Sequence, residues 1–167
     1  MTASAASGQI SSRLLFDGNL LADYFQIYLR DQSHPDLPSD YTEETVGKRL
    51  MIGPHAAIVH TARNMIVPVS VEWYDARPQP DVERYQHVAE ASFDCPSGIL
   101  IVAGLTDYEP SASRLAVEPG RLGVRANMSG LDTISEDGLE GNDRYLLQLW
   151  PSPQPLGLQV LKSWVER

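Results

Sequence analysis

The chain has 167 residues, of which 43% are hydrophobic and 21% charged, as expected for one ordinary globular domain. Its 22 acidic and 13 basic side chains give a formal net charge of −9 at pH 7. That balance argues against nucleic-acid binding, because replacing the counterions on phosphates takes an excess of Lys and Arg. It favours a basic partner protein, although an acidic surface also serves solubility alone.

Cysteine usage and the N-terminal residues indicate a compartment. The single cysteine, Cys95, excludes an internal disulfide and fits a reducing environment. Residues 1–12 lack the charged start and apolar core of a signal peptide, and no apolar run approaches the roughly 20 residues that span a bilayer. We therefore expect a cytoplasmic protein without membrane contact, with a flexible tail at residues 1–12 and a single domain at residues 13–167.

The first predicted strand covers residues 22–29. Phe25 and the next two odd-numbered residues are apolar, which predicts that they share the core face of the strand. Tyr24 and Tyr28 would then lie together on the opposite face. If that face is exposed, the two tyrosines form a patch for a partner protein, since aromatic side chains anchor interfaces. If both faces of the strand are covered, they are part of the interior instead.

A short helix is predicted over residues 41–49. Asp40 and Glu43 have the spacing of a capping box, in which each side chain accepts a hydrogen bond from the backbone N–H of the other. Two prolines at positions 35 and 38 indicate a loop before it.

Two strands are predicted at residues 55–62 and 65–73, on either side of a turn at Arg63 and Asn64. Pro68 cannot donate a ladder hydrogen bond, so the second strand should lie at a sheet edge or contain a bulge there. Alternate residues of this strand share one uniformly apolar face, which carries Val67, Val69, Val71 and Trp73.

The rest of the chain alternates apolar runs with turns rich in Pro and Gly, which is typical of antiparallel strands. No alternation of strands with helices occurs. The sequence therefore predicts an all-β protein, an antiparallel β-sandwich of about seven to nine short strands with one short helix. The further strands are predicted at residues 85–93, 99–104, 114–117, 121–128, 145–150 and 156–164.

No catalytic or metal-binding pattern is recognisable in the sequence. Cys95 lies in a turn and His87 well down the preceding strand, too far apart for a nucleophile and its base. His55 and His60 are separated by an odd number of strand residues and would point to opposite faces. We therefore predict no catalytic residues, no metal site and no cofactor.

The segment at residues 132–143 is acidic, contains glycines and should be a solvated loop. It departs from the calcium-binding EF-hand pattern, because Ile134 occupies the third position and no glycine falls at the sixth. We instead expect its carboxylates to contact a basic partner. The predicted contacts are Asp132, Glu136, Asp137 and Glu140.

The order of these elements resembles the competence protein J family, small β-sandwich proteins of which one kind inhibits a nuclease that acts in DNA uptake. The likeness covers about residues 20–150, and it implies a sandwich fold and a nuclease-inhibiting role. The polar N-terminal extension and the long acidic loop depart from it. The features that carry it are an aromatic strand at residues 24–28 followed by a short helix, the Arg63-Asn64 turn, Val67-Pro68-Val69, Phe93 before the Pro96-Ser97-Gly98 turn, and a terminal strand at residues 145–151.

Three hypotheses for function follow from these observations. The first is a non-enzymatic module that binds a basic protein, such as a nuclease, as its inhibitor or immunity partner. The second is a small-ligand-binding or hydrolytic domain whose site combines distant polar residues, with His60, Arg63, His87 and Glu90 as candidates. The third is an accessory domain that forms a homo-oligomer through an edge strand.

Overall fold

A computed structural model describes residues 11–165, which fold into two β-sheets packed face to face. The one α-helix in this range is α1, Glu43–Gly47. The strands are β1 Ser12–Leu21, β2 Gln26–Asp31, β3 Leu50–Ile52, β4 Ala56–His60, β5 Ile66–Tyr74, β6 His87–Cys95, β7 Ile99–Gly104, β8 Ser113–Ala116, β9 Gly120–Ser129, β10 Arg144–Pro151 and β11 Gln159–Lys162.

The predicted all-β sandwich is confirmed, and its two sheets differ in size. The larger has six strands in the order β1-β5-β10-β9-β6-β11, and the smaller has five in the order β3-β4-β2-β7-β8. All neighbouring strands are antiparallel except β5 and β10, which run parallel. The described residues therefore form eleven strands with one parallel pair, not seven to nine strands that are all antiparallel.

The core lies between the sheets, and β5 shows how the sequence builds it. The four residues on its apolar face, from Val67 to Trp73 at alternate positions, are all buried there. The expectation that Pro68 marks an edge or a bulge is wrong, because β5 lies between β1 and β10. Pro68 pairs with Asn19 of β1, and the ladder with β10 begins one residue later, at Val69.

Two strands escape sequence-based prediction. β1 carries Arg13, Asp17 and Asn19 among its apolar residues, which interrupts the alternation expected of a strand, and β3 has only three residues. Of the predicted tail, Ser11 is described outside any strand and Ser12 is the first residue of β1, while residues 1–10 lie outside the described residues.

The helix forms where predicted but has a different cap. Thr42 Oγ1 accepts a hydrogen bond from the Thr45 N–H at 3.1 Å, and Thr45 Oγ1 accepts from the Thr42 N–H at 2.8 Å. This reciprocal pair replaces the predicted box of Asp40 and Glu43, so the helix begins two residues later.

Several strand ends and connections lie together at one end of the sandwich. β4 ends there, β2, β5, β6 and β10 begin there, and the acidic segment after β9 leaves the sheets at the same place. None of the helices in residues 11–165 has the length and apolar character that crossing a bilayer requires.

Candidate partner-binding surface

The acidic connection between β9 and β10, residues 130–143, forms a closed arch at this end. Gly130 has a left-handed backbone with φ of 68°, and a Cβ there would lie 2.2 Å from the carbonyl oxygen of Asn142. Glycine is therefore what lets the two legs of the acidic arch approach so closely. The Thr133 hydroxyl joins the legs, because it donates to Gly130 O at 2.6 Å and accepts from the Asn142 N–H at 2.7 Å.

The tip of the acidic arch is held by short-range hydrogen bonds. The Ser135 N–H donates to Glu140 O at 2.8 Å, and the Glu140 N–H donates to Ser135 Oγ at 3.0 Å. The Asp137 carboxylate accepts from Ser135 Oγ at 2.6 Å and from the Leu139 N–H at 3.0 Å, and these bonds lower its pKa. The arch thereby exposes all four acidic residues predicted as partner contacts, namely Asp132, Glu136, Asp137 and Glu140.

A buried network anchors the base of the acidic arch in the sandwich. Arg63 forms an ion pair with Asp143, and its Nη1 donates to Leu139 O at 3.1 Å. The Tyr145 hydroxyl donates to Asp143 Oδ2 at 2.7 Å and accepts from the Ala62 N–H at 2.9 Å. The arch is therefore fixed to the turn between β4 and β5 and is not a freely moving loop.

A groove of about 510 Å³ runs between the acidic arch and the C-terminal segment. Ala62, Leu131 and Trp164 contribute apolar walls, and Asp132 and Glu136 contribute carboxylates. The Trp164 indole N–H donates to Asp132 Oδ1 at 3.0 Å, which ties the end of the chain to the arch. The sequence alone could not show this groove, since its walls come from three distant segments.

The two predicted tyrosine contacts do not form one surface patch. Tyr24 is 65% exposed and lies in a 3-10 turn before β2, whereas Tyr28 is 5% exposed. The Tyr28 hydroxyl bonds to Glu109, and burial together with that carboxylate raises the pKa of Tyr28. The prediction of a shared exposed face is wrong, because both faces of β2 are covered.

Phe25 also departs from its predicted position in the core. Tyr24 and Phe25 have left-handed φ angles of 58° and 60°, so the strand pattern starts only at Gln26. Phe25 is consequently 46% exposed, beside Tyr24 and close to Tyr41 and Val46, which are 47% and 38% exposed. These four side chains, Tyr24, Phe25, Tyr41 and Val46, form an exposed surface that we call the aromatic ledge.

The aromatic ledge borders a cavity of about 330 Å³ on the outer face of the smaller sheet. His60 lies in its wall, with Nε2 2.8 Å from Met51 Sδ and the ring packed edge-on against Tyr41 at 6.1 Å. Burial, and secondarily the Arg49 guanidinium, lower the pKa of His60 to about 4. The imidazole is therefore neutral at pH 7 and adds no charge to the cavity.

The four candidates for a polar ligand site are not brought together. His60 faces outward from the smaller sheet, whereas Glu90 lies on the outer face of the larger sheet in an ion pair with Arg125. Arg63 is engaged at the base of the acidic arch. His87 accepts from the Trp164 N–H at 3.1 Å, and its Nε2 lies 2.9 Å from Lys48 O. Each side chain thus has its own local partners.

Cys95 belongs to a buried hydrogen-bond network centred on Asp31. Its thiol donates to Asp31 Oδ1 at 3.2 Å, and the Ser97 N–H donates to the same oxygen at 3.0 Å. Burial opposes ionisation of Asp31, but its hydrogen bonds from Ser97, His34 and Cys95 prevail and hold the pKa of Asp31 below its usual range. Burial and the Asp31 carboxylate raise the pKa of Cys95 to about 12, which makes the thiol a poor nucleophile.

The histidines form no metal centre in the described range. Among residues 11–165, no group of three or more His, Cys, Asp and Glu side chains is placed to hold an ion. His34 and His55 instead stack, with ring centroids 3.6 Å apart, while His34 Nδ1 lies 2.6 Å from Asp31 Oδ2. This contact between two loops leaves no sequence signal.

The larger sheet contains a buried charged pair that could not be predicted from the sequence. Glu90 and Arg125 are both 0% exposed, with Arg125 Nε donating to Glu90 Oε1 at 2.9 Å. Arg77 donates to the other carboxylate oxygen at 2.7 Å, and Trp150 lies under the Arg125 guanidinium at 5.1 Å. Arg125 Nη2 also lies 2.8 Å from Glu90 Oε1 in an ion pair, so the two buried charges neutralise each other within the sheet.

Together, the strand order and the connections define a small β-sandwich with an organised acidic arch at one end. This fold is similar to that of ComJ, the inhibitor of the DNA degrading activity of NucA, from Bacillus subtilis, with a TM-score of 0.64 and 14% sequence identity over 86% of this chain and 99% of that one. It is also similar to crocagin biosynthetic gene J, with a TM-score of 0.58 and 20% identity over 85% and 99% of the two chains. The predicted competence protein J-like fold is confirmed.

At these identities the likeness concerns the fold alone. The sequence matches no protein-family model, and no curated protein matches it.

Proposed function

We propose that this protein is a non-enzymatic inhibitor that binds a basic protein, such as a nuclease, through the acidic arch. The observation that carries the proposal is the conformation of the arch. Its legs, tip and base are each held by hydrogen bonds, and its carboxylates nevertheless remain exposed. Such preorganised charge suits recognition of a cationic active site, because little conformational entropy is lost on binding.

Two further observations support this function. The net charge of −9 would steer a cationic partner toward the molecule from a distance. The fold is one that ComJ uses to inhibit the DNA degrading activity of a nuclease. An inhibitor on this scaffold needs a surface complementary to its target and no catalytic group.

The proposal is tested by capture from the native lysate with three purified baits. The arch variant is Glu136→Gln/Glu140→Gln, which removes two charges and leaves the hydrogen bonds of Asp132 and Asp137 in place. The control, Asp94→Asn/Glu118→Gln, removes two exposed charges near the start of β9, roughly 30 Å from the arch for a strand of ten residues.

We expect the wild type and the control to retain one cationic protein in stoichiometric amounts at low salt. The arch variant should not retain this protein. Moderate salt should reduce the amount retained by the wild type and the control, because salt screens exposed charges. Equal retention by the arch variant, or no retained protein by a monomeric, folded wild type, would contradict the proposal.

A further inference from the structure

The three non-glycine residues with a left-handed backbone in residues 11–165 all lie at one cavity. They are Tyr24, Phe25 and Arg49, with φ angles of 58°, 60° and 60°, and each of them lines the cavity beside the aromatic ledge. A left-handed conformation is unfavourable for residues with a Cβ and concentrates at functional sites. The surrounding structure therefore stabilises an unfavourable backbone conformation at these three residues.

The effect of that backbone is to expose aromatic side chains. If β2 continued through residue 25, Phe25 would join Ile27 in the core, as alternation requires. The turn instead leaves Phe25 46% exposed and Tyr24 65% exposed, while Ile27 is completely buried. Adjacent exposed aromatic side chains of this kind are characteristic of sites where another protein docks.

The turn itself is firmly attached to the sandwich, so the ledge is a preformed surface. The Phe25 N–H donates to Ala22 O at 3.0 Å, the Ala22 N–H donates to Met65 O at 2.9 Å, and the Thr61 N–H donates to Phe25 O at 3.0 Å. Tyr41 is attached in turn, because its hydroxyl donates to Gln26 Oε1 at 3.1 Å. Rigid aromatic groups lose little entropy when they bind.

The acidic arch beside the ledge indicates the charge of its occupant. Arg49 also lines the cavity, but its guanidinium donates to His60 O at 3.2 Å and lies 4.9 Å from the Trp164 ring. Ala62 lines both the ledge cavity and the groove beside the acidic arch, so the two surfaces adjoin. A second copy of this chain would bring another acidic arch and another net charge of −9 close to the first, which is repulsive. A cationic protein is attracted to the same place.

We infer that the aromatic ledge is the apolar half of the docking surface for a cationic protein, with an apolar side chain of that partner seated in the 330 Å³ cavity. This inference rests on the proposed function, since the acidic arch supplies the other half. The two halves have different kinetic roles. Exposed carboxylates govern the rate of association, whereas desolvated aromatic anchors govern the rate of dissociation.

The test places the photo-crosslinking residue p-benzoylphenylalanine at Phe25, at Glu136 or at Leu14. Leu14 serves as the control, because it is 59% exposed and lies seven residues before the ledge end of β1, roughly 23 Å away along the strand. Each full-length variant is irradiated in the native lysate and its adducts are identified. The recovered partner is then purified, and its binding to the wild type, Phe25→Ala, Tyr24→Ala and Leu14→Ala is measured.

We expect one cationic protein to be crosslinked from positions 25 and 136 and not from position 14. Phe25→Ala and Tyr24→Ala should raise the dissociation rate about tenfold with little change in the association rate, and Leu14→Ala should change neither. Circular dichroism of each variant checks that the fold is retained.

The other outcomes distinguish a failure of the ledge inference from a failure of the proposed function. Adducts from position 136 without any from position 25 would overturn the role of the aromatic ledge and leave the proposed function standing. Adducts of a cationic protein from position 25 alone would support the ledge and contradict the role of the acidic arch. A non-cationic partner at position 25 would overturn the role of the ledge, and no cationic adduct at either position would overturn both.

Discussion

Arg63 and Asp143 form the buried ion pair that joins the acidic arch to the turn between β4 and β5, whose residues Thr61 and Ala62 line the ledge cavity. Arg63 Nε lies 2.9 Å from Asp143 Oδ1, and their side chains are 9% and 0% exposed. Arg63 follows the turn residues that border the ledge, and Asp143 closes the second leg of the arch. The relative placement of the two halves of the surface therefore depends on this pair.

Arg63→Met should lower the free energy of unfolding by about 3–5 kcal/mol, because it leaves the Asp143 carboxylate buried without its cation. The double variant Arg63→Met/Asp143→Leu should be less destabilised than the sum of the two single variants. Urea denaturation of all four proteins gives the coupling energy. Additive effects within about 0.5 kcal/mol would show that the pair does not couple these elements.

The left-handed turn predicts an unusual ranking of substitutions at Phe25. Phe25→Gly should be more stable than Phe25→Ala by about 1 kcal/mol, because glycine adopts a φ of 60° without strain. At an exposed strand position such as Leu14 the order should be the ordinary one, with alanine more stable than glycine. Thermal or urea unfolding of the alanine and glycine variants at both positions measures the two stability differences. Alanine ranking above glycine at both positions would contradict the left-handed conformation.

Histidine protonation should make the protein less stable in acid. The pKa of His60 is about 4 in the fold against an ordinary value of 6.5, because of burial and Arg49. Between these values the unfolded chain binds more protons than the folded one, so the free energy of unfolding decreases as the pH falls. Burial lowers the pKa of His87 too, in the same direction.

The magnitude can be assigned with a His60→Gln variant. Between about pH 7 and about pH 4 the free energy of unfolding should fall by about 3 kcal/mol more in the wild type than in the variant. This difference follows from the lowered pKa of His60 in the fold. Denaturant titrations at several pH values measure this difference. Identical pH profiles for the two proteins would show that His60 is accessible to protons in the fold.

Cys95 should not react while the protein is folded. Its thiol is 0% exposed and donates to Asp31, and its pKa is raised to about 12. At mildly alkaline pH, a disulfide-exchange reagent should modify the native protein about a thousandfold more slowly than the protein unfolded in urea. Rapid stoichiometric labelling of the native protein would mean that the Asp31 network opens readily.

The sequence predicted the parts of this molecule whose pattern is local. β5 alternates without interruption, so its core face follows directly from the period of a strand, and the acidic arch is evident from its carboxylates and glycines. Phe25 could not be placed, because a left-handed turn at two residues with side chains has no propensity signal. The alternation of apolar residues in the sequence includes Phe25, and it therefore predicted a core position for that residue.

What the sequence could not provide is the convergence of distant segments. Trp164 meets Asp132 across 32 positions, and Tyr28 meets Glu109 across 81. Buried charges such as Glu90 and Arg125 are equally hidden, since such residues are almost always exposed unless paired. The candidate surface thus depends on contacts that appear only in the fold.

The most direct test of the inhibitor function is the degradation of a fluorescent DNA duplex by the native lysate, titrated with the purified protein. We expect the wild type and Asp94→Asn/Glu118→Gln to suppress degradation to the same extent, and Glu136→Gln/Glu140→Gln to suppress it only at much higher concentration. Degradation that is unaffected by an excess of the folded wild type, or equally suppressed by all three proteins, would contradict it.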